Sequence, residues 1–342
     1  YTVVNVVDLE SYVKGVIPSE VPSSYGMEAL KAQAVCARSY AYIQMMHNKY
    51  EAYGAHVDDS VNFQVYNKQN QTPETVAAVD ETKGQVLSYK GDIIETYYYS
   101  TSYGHTGDYE AWNLDKDAYG YLQGVWVRSE ENPIDLSDEK SFLDYISNVD
   151  SACYESDLKY FRWNTVLDFQ GKDETLLHTI AGRKEHQPEA ISYYKDTSKT
   201  ETTDSCSNFG SLQAIKVVKR NQSGVILELE LDFQNGAVSV QSEYNMRAIL
   251  GCGITNINLL DGSSVEMSIL PSAYISIQAK GDGTYAVLGG GYGHGIGMSQ
   301  NGAQKLCGQG FDYKRILNYF YQDTELTELY QPQNTTKEEG GA

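Results

Sequence analysis

Basic residues are scarce: 26 lysines and arginines face 46 aspartates and glutamates, a net charge of −20 at pH 7. Nucleic acid and anionic membranes are bound through clustered Lys and Arg, so that balance argues against both as partners. Long apolar runs are missing too. No stretch reaches the ~20 residues that a membrane-spanning helix needs, and no basic, apolar leader opens the chain. The sequence opens at Tyr1 instead of Met, so membrane attachment is expected only through a removed N-terminal anchor or signal. Cysteine is sparse, at Cys36, Cys153, Cys206, Cys252 and Cys307, with no C-x-x-C pair, which leaves neither a zinc knuckle nor a redox motif. Nucleotide-binding signatures are absent as well: no G-x-G-x-x-G and no Gly-Lys-Ser/Thr occurs in the glycine-rich stretch, and no cofactor is expected. Neither does G-x-S-x-G surround Ser299.

What is abundant is tyrosine and, locally, glycine. Twenty-nine tyrosines against 8 phenylalanines give many aromatic faces a hydroxyl that meets water or a polar polymer, a taste that fits carbohydrate. The run GGGYGHGIGMSQNGAQ, Gly289 to Gln304, strips side chains from the backbone around His294, Ser299 and Gln300. Such a run suits a loop pressed against another surface, because glycine accepts positive φ and close approach. Ser299 is placed to cap a short helix ending at Gly308 or Gly310. A tight structural turn with His294 serving a buried hydrogen bond accounts for the same residues.

Along the chain, Val3 to Val7 reads as a strand, and Asp8 caps a helix that Pro18 ends. In IPSEVPSSYG the two prolines place Glu20 on an irregular connector. Burial there would favour its protonated form, whereas the N-terminus of the next helix would favour the ionised one. A solvated or capping glutamate is the plain alternative. Met27, Leu30, Ala34, Ala37, Ala41 and Met45 then predict a long amphipathic helix from Gly26 to Lys49. Strands are expected at Gln85 to Tyr89 and Ile93 to Thr101, around the turn Lys90-Gly91. The second delivers a small-polar loop with Ser100, Thr101, Ser102, His105 and Thr106, able to hydrogen-bond a ligand or to be a simple turn.

Residues 129–210 turn acidic and read as an insertion, with Cys153 and Cys206 near enough to its ends for a disulfide to close it. Gln213 to Lys219 and Val225 to Phe233 form a hairpin across Asn221 to Gly224, with Leu227, Leu229 and Leu231 inward and Glu228 and Glu230 outward. Ser242 caps a helix, strands follow at Ala273 to Ala279 and Thr284 to Leu288, and Asp312 caps the last helix. Residues 331–342 look disordered. Core parts 1–128 and 211–330 thus flank the insertion. His47, His56, Asp58 and Asp59 cluster loosely, a spacing that an exposed connector explains better than metal.

Three stretches, VVDLESYVKGVIPSEVPSSYGMEALKAQAVCARSYAY, GQVLSYKGDIIETYYYSTSYGHT and GGGYGHGIGMSQNGAQKLCGQGFDYKRILNYFY, are together similar to the SpoIID/LytB family of peptidoglycan lytic transglycosylases and amidase enhancers. The resemblance covers roughly residues 1–128 and 210–325, with an echo at YFRWN. It implies an α+β fold with a twisted, mostly antiparallel sheet, in which the early and late motifs meet across one cleft. It implies Glu20 as the catalytic acid of the S-E-[MV]-P motif, and Ser100, Thr101, Ser102, His105, Thr106, His294, Ser299 and Gln300 as substrate-binding residues. Tyr103 stands where the family loop has glycine. Some members bind zinc in a segment that falls here on Asp58, Asn62 and Phe63; phenylalanine cannot coordinate a metal, so no zinc is expected. The implied partners are glycan strands and a cell-wall amidase, at an extracytoplasmic location. An enhancer that binds peptidoglycan without cutting it would use the same fold.

Overall fold

The computed structural model describes residues 3–59, 63–67, 70–130 and 134–330. The tail at 331–342, expected to lack order, lies outside them. In chain order the helices are α1 (Leu9–Glu20), α2 (Met27–His47), α3 (Pro73–Glu81), α4 (Lys116–Tyr119), α5 (Glu139–Ile146), α6 (Asp173–His186), α7 (Glu243–Gly251), α8 (Gln300–Gly308) and α9 (Tyr313–Phe320). The strands begin with β1 (Gln85–Tyr89), β2 (Asp92–Ile93), β3 (Tyr98–Tyr99), β4 (Trp163–Asp168), β5 (Ile191–Tyr194), β6 (Leu212–Arg220) and β7 (Ile226–Phe233). They continue with β8 (Gly236–Val240), β9 (Ile257–Leu259), β10 (Ser264–Val265), β11 (Ile275–Ala279), β12 (Thr284–Gly289), β13 (Met298–Ser299) and β14 (Glu325–Glu328). The fold is α+β, with pairing antiparallel except between β13 and β3. In place of one twisted sheet, the described residues form several smaller ones.

The described residues within 1–96, 311–316 and 323–330 make one compact unit, and those within 97–310 and 317–322 another. In the first, α1 and α2 bury Val13, Val16, Ile17, Leu30, Ala34 and Ala37 together with Val79 of α3. The alanines allow that close packing, since no bulk separates the helices. Strand β1 lies between β14 and β2, and Lys90 and Gly91 turn it with positive φ of 53° and 93°.

Three expectations change here. Val3–Val7 is exposed and makes no strand, for among the described residues no strand pairs with it. Pro18 does not end α1: the Val21 amide still donates to Ile17 O at 3.0 Å, and Ser19 Oγ donates to Gly15 O at 3.0 Å, so the helix continues through the proline. It is Pro22 that stops the helix, by holding the preceding Val21 extended at φ −138° and ψ 143°. Glu20 is therefore the last helical residue and not part of an irregular connector.

Arg38 ties this unit together. Fully buried, it donates to both carboxylate oxygens of Glu10 on α1 at 2.9 and 2.7 Å, to Val79 O of α3 at 3.2 Å and to Gln85 O of β1 at 3.0 Å.

In the second unit β4 is the middle strand of the order β10-β9-β4-β12-β11, and β5 edges the order β5-β8-β7-β6. Both strands come from within residues 129–210, the stretch set apart by its charge. Their hydrophobic sides bury Trp163, Leu167, Ile191, Leu229, Leu231 and Val287 in one core. The hairpin of β6 and β7 turns at Gly224, but Glu230 is buried instead of outward, because Lys199 and Lys216 bridge it at 2.7 and 3.3 Å. Ser242 precedes α7 without capping it through its side chain. Asp312 does cap α9, accepting from the Arg315 amide at 2.8 Å. The disulfide does not form: Cys153 and Cys206 are buried free thiols, Cys153 against the Tyr145 hydroxyl and Cys206 against Leu177 O.

Removing one partner of a buried ion pair leaves an uncompensated charge, so Arg38→Ala is expected to lower stability by about 3–5 kcal/mol. Urea denaturation of the purified protein measures it, and a loss under ~1 kcal/mol contradicts the role given to this arginine.

Candidate active site

In the second unit, β3 and β13 pair in parallel, Tyr98 with Met298 and Tyr99 with Ser299. Bridges at Thr101–Tyr292 and Gly107–Ile296 extend the contact, so the loop Ser100–Thr106 and the glycine ribbon run side by side. Their spacing explains the glycines. A Cβ on Gly291 would come within 2.9 Å of Thr101 O, and one on Gly297 would collide with Tyr97 O. Both residues also have positive φ, 82° and 76°. Tyr103 is tolerated in the loop because the positive φ falls on Gly104, leaving the Tyr103 ring free to stack on Tyr274 at 4.5 Å and donate to Ser223 O at 2.7 Å.

His294 pins the ribbon to β3. Its Nδ1 accepts from the Ile296 amide at 3.1 Å, which puts the proton on Nε2, where it donates to Tyr98 O at 2.8 Å. Burial holds the ring neutral, with a pKa of about 4. Tyr99 and Trp112 flank it at 5.5 and 5.1 Å between ring centres. His105 is likewise kept neutral by burial, with a pKa of about 4, donating from Nδ1 to Thr106 O at 2.6 Å against the edge-on ring of Trp126.

The sequence reading missed Glu155. This carboxylate is fully buried, accepting from the Ser102 amide at 3.0 Å, from Ser102 Oγ and from Ser299 Oγ at 2.7 Å. Ser299 in turn caps α8, accepting from the Gly302 amide at 3.1 Å. Desolvation pushes the Glu155 carboxyl up to about 7 despite the two serines, which favour its ionised form. No motif pointed to it, because its spacing within the acidic stretch is that of a surface residue.

The remaining loop residues face inward. Thr101, Ser102, His105 and Thr106 are buried, Thr106 Oγ1 accepting from the Val125 amide at 2.9 Å, while Ser100 is half-buried. Asn301 donates to Ser100 O and Thr101 Oγ1, both at 3.0 Å. Gln300 is the buried first residue of α8. The residues read from the motifs are thus brought together, with much of their polarity spent on holding two backbones in register.

Glu20 belongs to the first unit, where it is half-buried and accepts from the Val65 amide at 2.8 Å. Tyr12 and Tyr66 stack beside it in parallel at 5.7 Å, and Gly15 leaves room for the Tyr66 ring. Tyr40 has its hydroxyl held protonated, up to about 12, first by burial and then by the charges of Glu95 and Glu20. The Tyr12 hydroxyl is pushed up as well, by burial, Tyr40 and Glu20. Gln44 fixes Glu95 at 2.6 Å. Of the carboxylates beside these tyrosines, Glu20 was legible in its motif and Glu95 was not. Of the zinc-like positions, Asn62 lies outside the described residues, Asp58 accepts from the Tyr50 hydroxyl at 2.7 Å and Phe63 packs on the Tyr50 ring. Among the described residues no group of three or more His, Cys, Asp or Glu is arranged to hold a metal.

A carboxyl that is harder to ionise folded than unfolded stabilises the fold below the unfolded value and loses that contribution as pH rises. For Glu155 the window runs from 4.5 to about 7. Glu155→Gln is expected to flatten it and to be more stable than wild type at about pH 8 by on the order of 3 kcal/mol, with no difference near pH 4. Urea titrations at the two pH values check this, and equal slopes refute it. Gly297→Ala is expected to cost at least ~1–3 kcal/mol, read by the same titration.

Residues 1–89 match the family model described as stage II sporulation protein, SpoIID, and residues 183–297 match a second one described as a domain of unknown function. The amidase enhancer of Bacillus subtilis is 28% identical over 330 residues, which span 92% of this chain and 40% of that protein. Stage II sporulation protein D of the same organism is 26% identical over 339 residues, spanning 94% of this chain and 75% of that protein, and its Bacillus amyloliquefaciens counterpart matches equally. The chain therefore spans less than half of the first relative and three quarters of the others. The sequence that carries α1, α2 and Glu20 is thus similar to the SpoIID family.

Proposed function

We propose that the protein is a peptidoglycan lytic transglycosylase, cutting the MurNAc–GlcNAc bond of glycan strands to leave 1,6-anhydro-MurNAc ends, in spore formation or cell-wall remodelling outside the cytoplasm. The observation that carries this reading is the setting of Glu20: a half-buried carboxylate on a helix end, accepting from the Val65 amide beside tyrosine hydroxyls that stay protonated. Ordinary glycosidases need two carboxylates, one as acid and one as nucleophile or base. Here the attacking group is the substrate's own C6 hydroxyl, so a single acid suffices. Glu20 gives its proton to the leaving glycosidic oxygen as the bond breaks, then takes the proton of the C6 hydroxyl as that oxygen closes on C1. Tyr40, half-buried beside Glu20, supplies a protonated hydroxyl for a sugar oxygen. Within the ribbon the half-buried Tyr292, Gly293 and His294, beside the ring of Trp112, offer a glycan strand a low surface.

A second reading draws on the relative named amidase enhancer: a protein that holds peptidoglycan and stimulates a separate amidase without cutting glycan. One experiment separates the two. Glycan strands freed of stem peptides are incubated with wild type and with Glu20→Gln, and the products are read by mass spectrometry. Wild type is expected to release anhydro ends and the variant to release them at least ~100-fold more slowly, the scale of a lost general acid. Anhydro ends formed equally by both would sink the role of Glu20. No anhydro product from wild type, together with faster turnover by an added amidase, selects the enhancer.

A further inference from the structure

Glu155 is a fully buried carboxylate that makes no salt bridge among the described residues, Lys305 acting on it only through its field, an arrangement that costs a fold stability. Its hydrogen bonds share one pattern. Ser102 Oγ donates to Glu155 and accepts from the Gly104 amide at 3.2 Å, while Ser299 Oγ donates to Glu155 and accepts from the Gly302 amide at 3.1 Å. One carboxylate is thereby the nearest acceptor for both hydroxyls, Ser100 O being a longer second one for Ser299 at 3.4 Å, and each hydroxyl fixes a turn, the first in the loop Ser100–Thr106 and the second at the start of α8. Fixed hydroxyl orientation is what an ionised acceptor supplies and a neutral one does not, since the ionised carboxylate only accepts.

We propose that Glu155 is a positioning residue for glycan binding, whose ionised carboxylate orients Ser102 and Ser299 and so locks the motif loop and the glycine ribbon into one binding surface. The inference rests on the reading of that surface as glycan-facing. Stability is given up for orientation, a use of buried polar groups attested in other folds. The charged and titratable groups around Glu155 do not take over its part. Lys305 is engaged with both oxygens of Asp157 at 2.7 Å, and the Tyr99 and Tyr319 hydroxyls are held protonated by burial. Glutamine in its place would keep the shape and one acceptor oxygen, but its amide would donate to one serine and reverse that hydroxyl.

The test measures three quantities for wild type and Glu155→Gln: affinity for glycan strands freed of stem peptides, melting temperature, and amide exchange at Gly104 and Gly302, corrected for intrinsic rates. At about pH 8 the variant is expected to melt higher than wild type and yet to bind about tenfold more weakly, with faster exchange at both amides. Between about pH 8 and 6, wild-type affinity is expected to fall towards that of the variant, whose own affinity stays level. A merely structural role predicts the opposite pairing, with binding lost only as far as stability is lost, and that result would overturn the proposal. Affinity within about twofold of wild type, or a pH response shared by both proteins, overturns it too. Should wild type bind no glycan, the functional reading fails instead, and the exchange comparison still decides: equal protection refutes the orientation by Glu155, faster exchange in the variant upholds it.

Discussion

Two backbones in the second unit lie too close for any side chain to come between them. Gly291 against Thr101 O and Gly297 against Tyr97 O set that distance, and the short parallel pairing of β3 with β13 depends on it. Once the strands are that near, polar side chains on either segment have nowhere to go but into each other and into backbone. His294 reaches across to Tyr98 O, Asn301 to Ser100 O, and Ser102 and Ser299 converge on one carboxylate. A motif that reads like a set of ligand-binding groups is, for most of its members, a set of fasteners. What it presents outward is chiefly backbone and the rings around His294.

That division explains which parts were legible. Glycine density pointed to a close approach, because few other demands on a chain require so many residues without Cβ. Ser299 was legible as a cap because capping is local: the donor it serves lies three residues on. Glu155 was not, since its partners are 53 and 144 residues away and its neighbours in sequence are those of a solvated acid. The same limit hid Glu95 beside Tyr40. Proline misled in the other direction. Near a helix end Pro18 removes little, for the ladder resumes with Val21 on Ile17 O and the hydroxyl of Ser19 joins it. Charge misled as well: the acidic stretch at 129–210 looks peripheral, whereas Trp163–Asp168 within it is the middle strand of a sheet, its alternation too short to stand out against the surrounding carboxylates.

The two glutamates illustrate how environment suits one side chain to different work. Glu20 ends a helix, partly open to solvent, accepting from the Val65 amide with the Tyr12 and Tyr40 hydroxyls near it. A carboxyl so placed is free to exchange a proton with something that arrives from outside. Glu155 has no such access. Enclosed on every side, it trades protons only with water that reaches it through an opening of the fold, on a timescale set by that opening. It therefore has no place as an acid or base in turnover, and every effect it exerts must pass through the hydroxyls it holds. A buried acid of this kind is conspicuous by its cost. Apolar packing would stabilise the same junction better, so its presence there argues for a requirement that packing does not meet, namely a fixed direction for two protons at the joint between loop and ribbon.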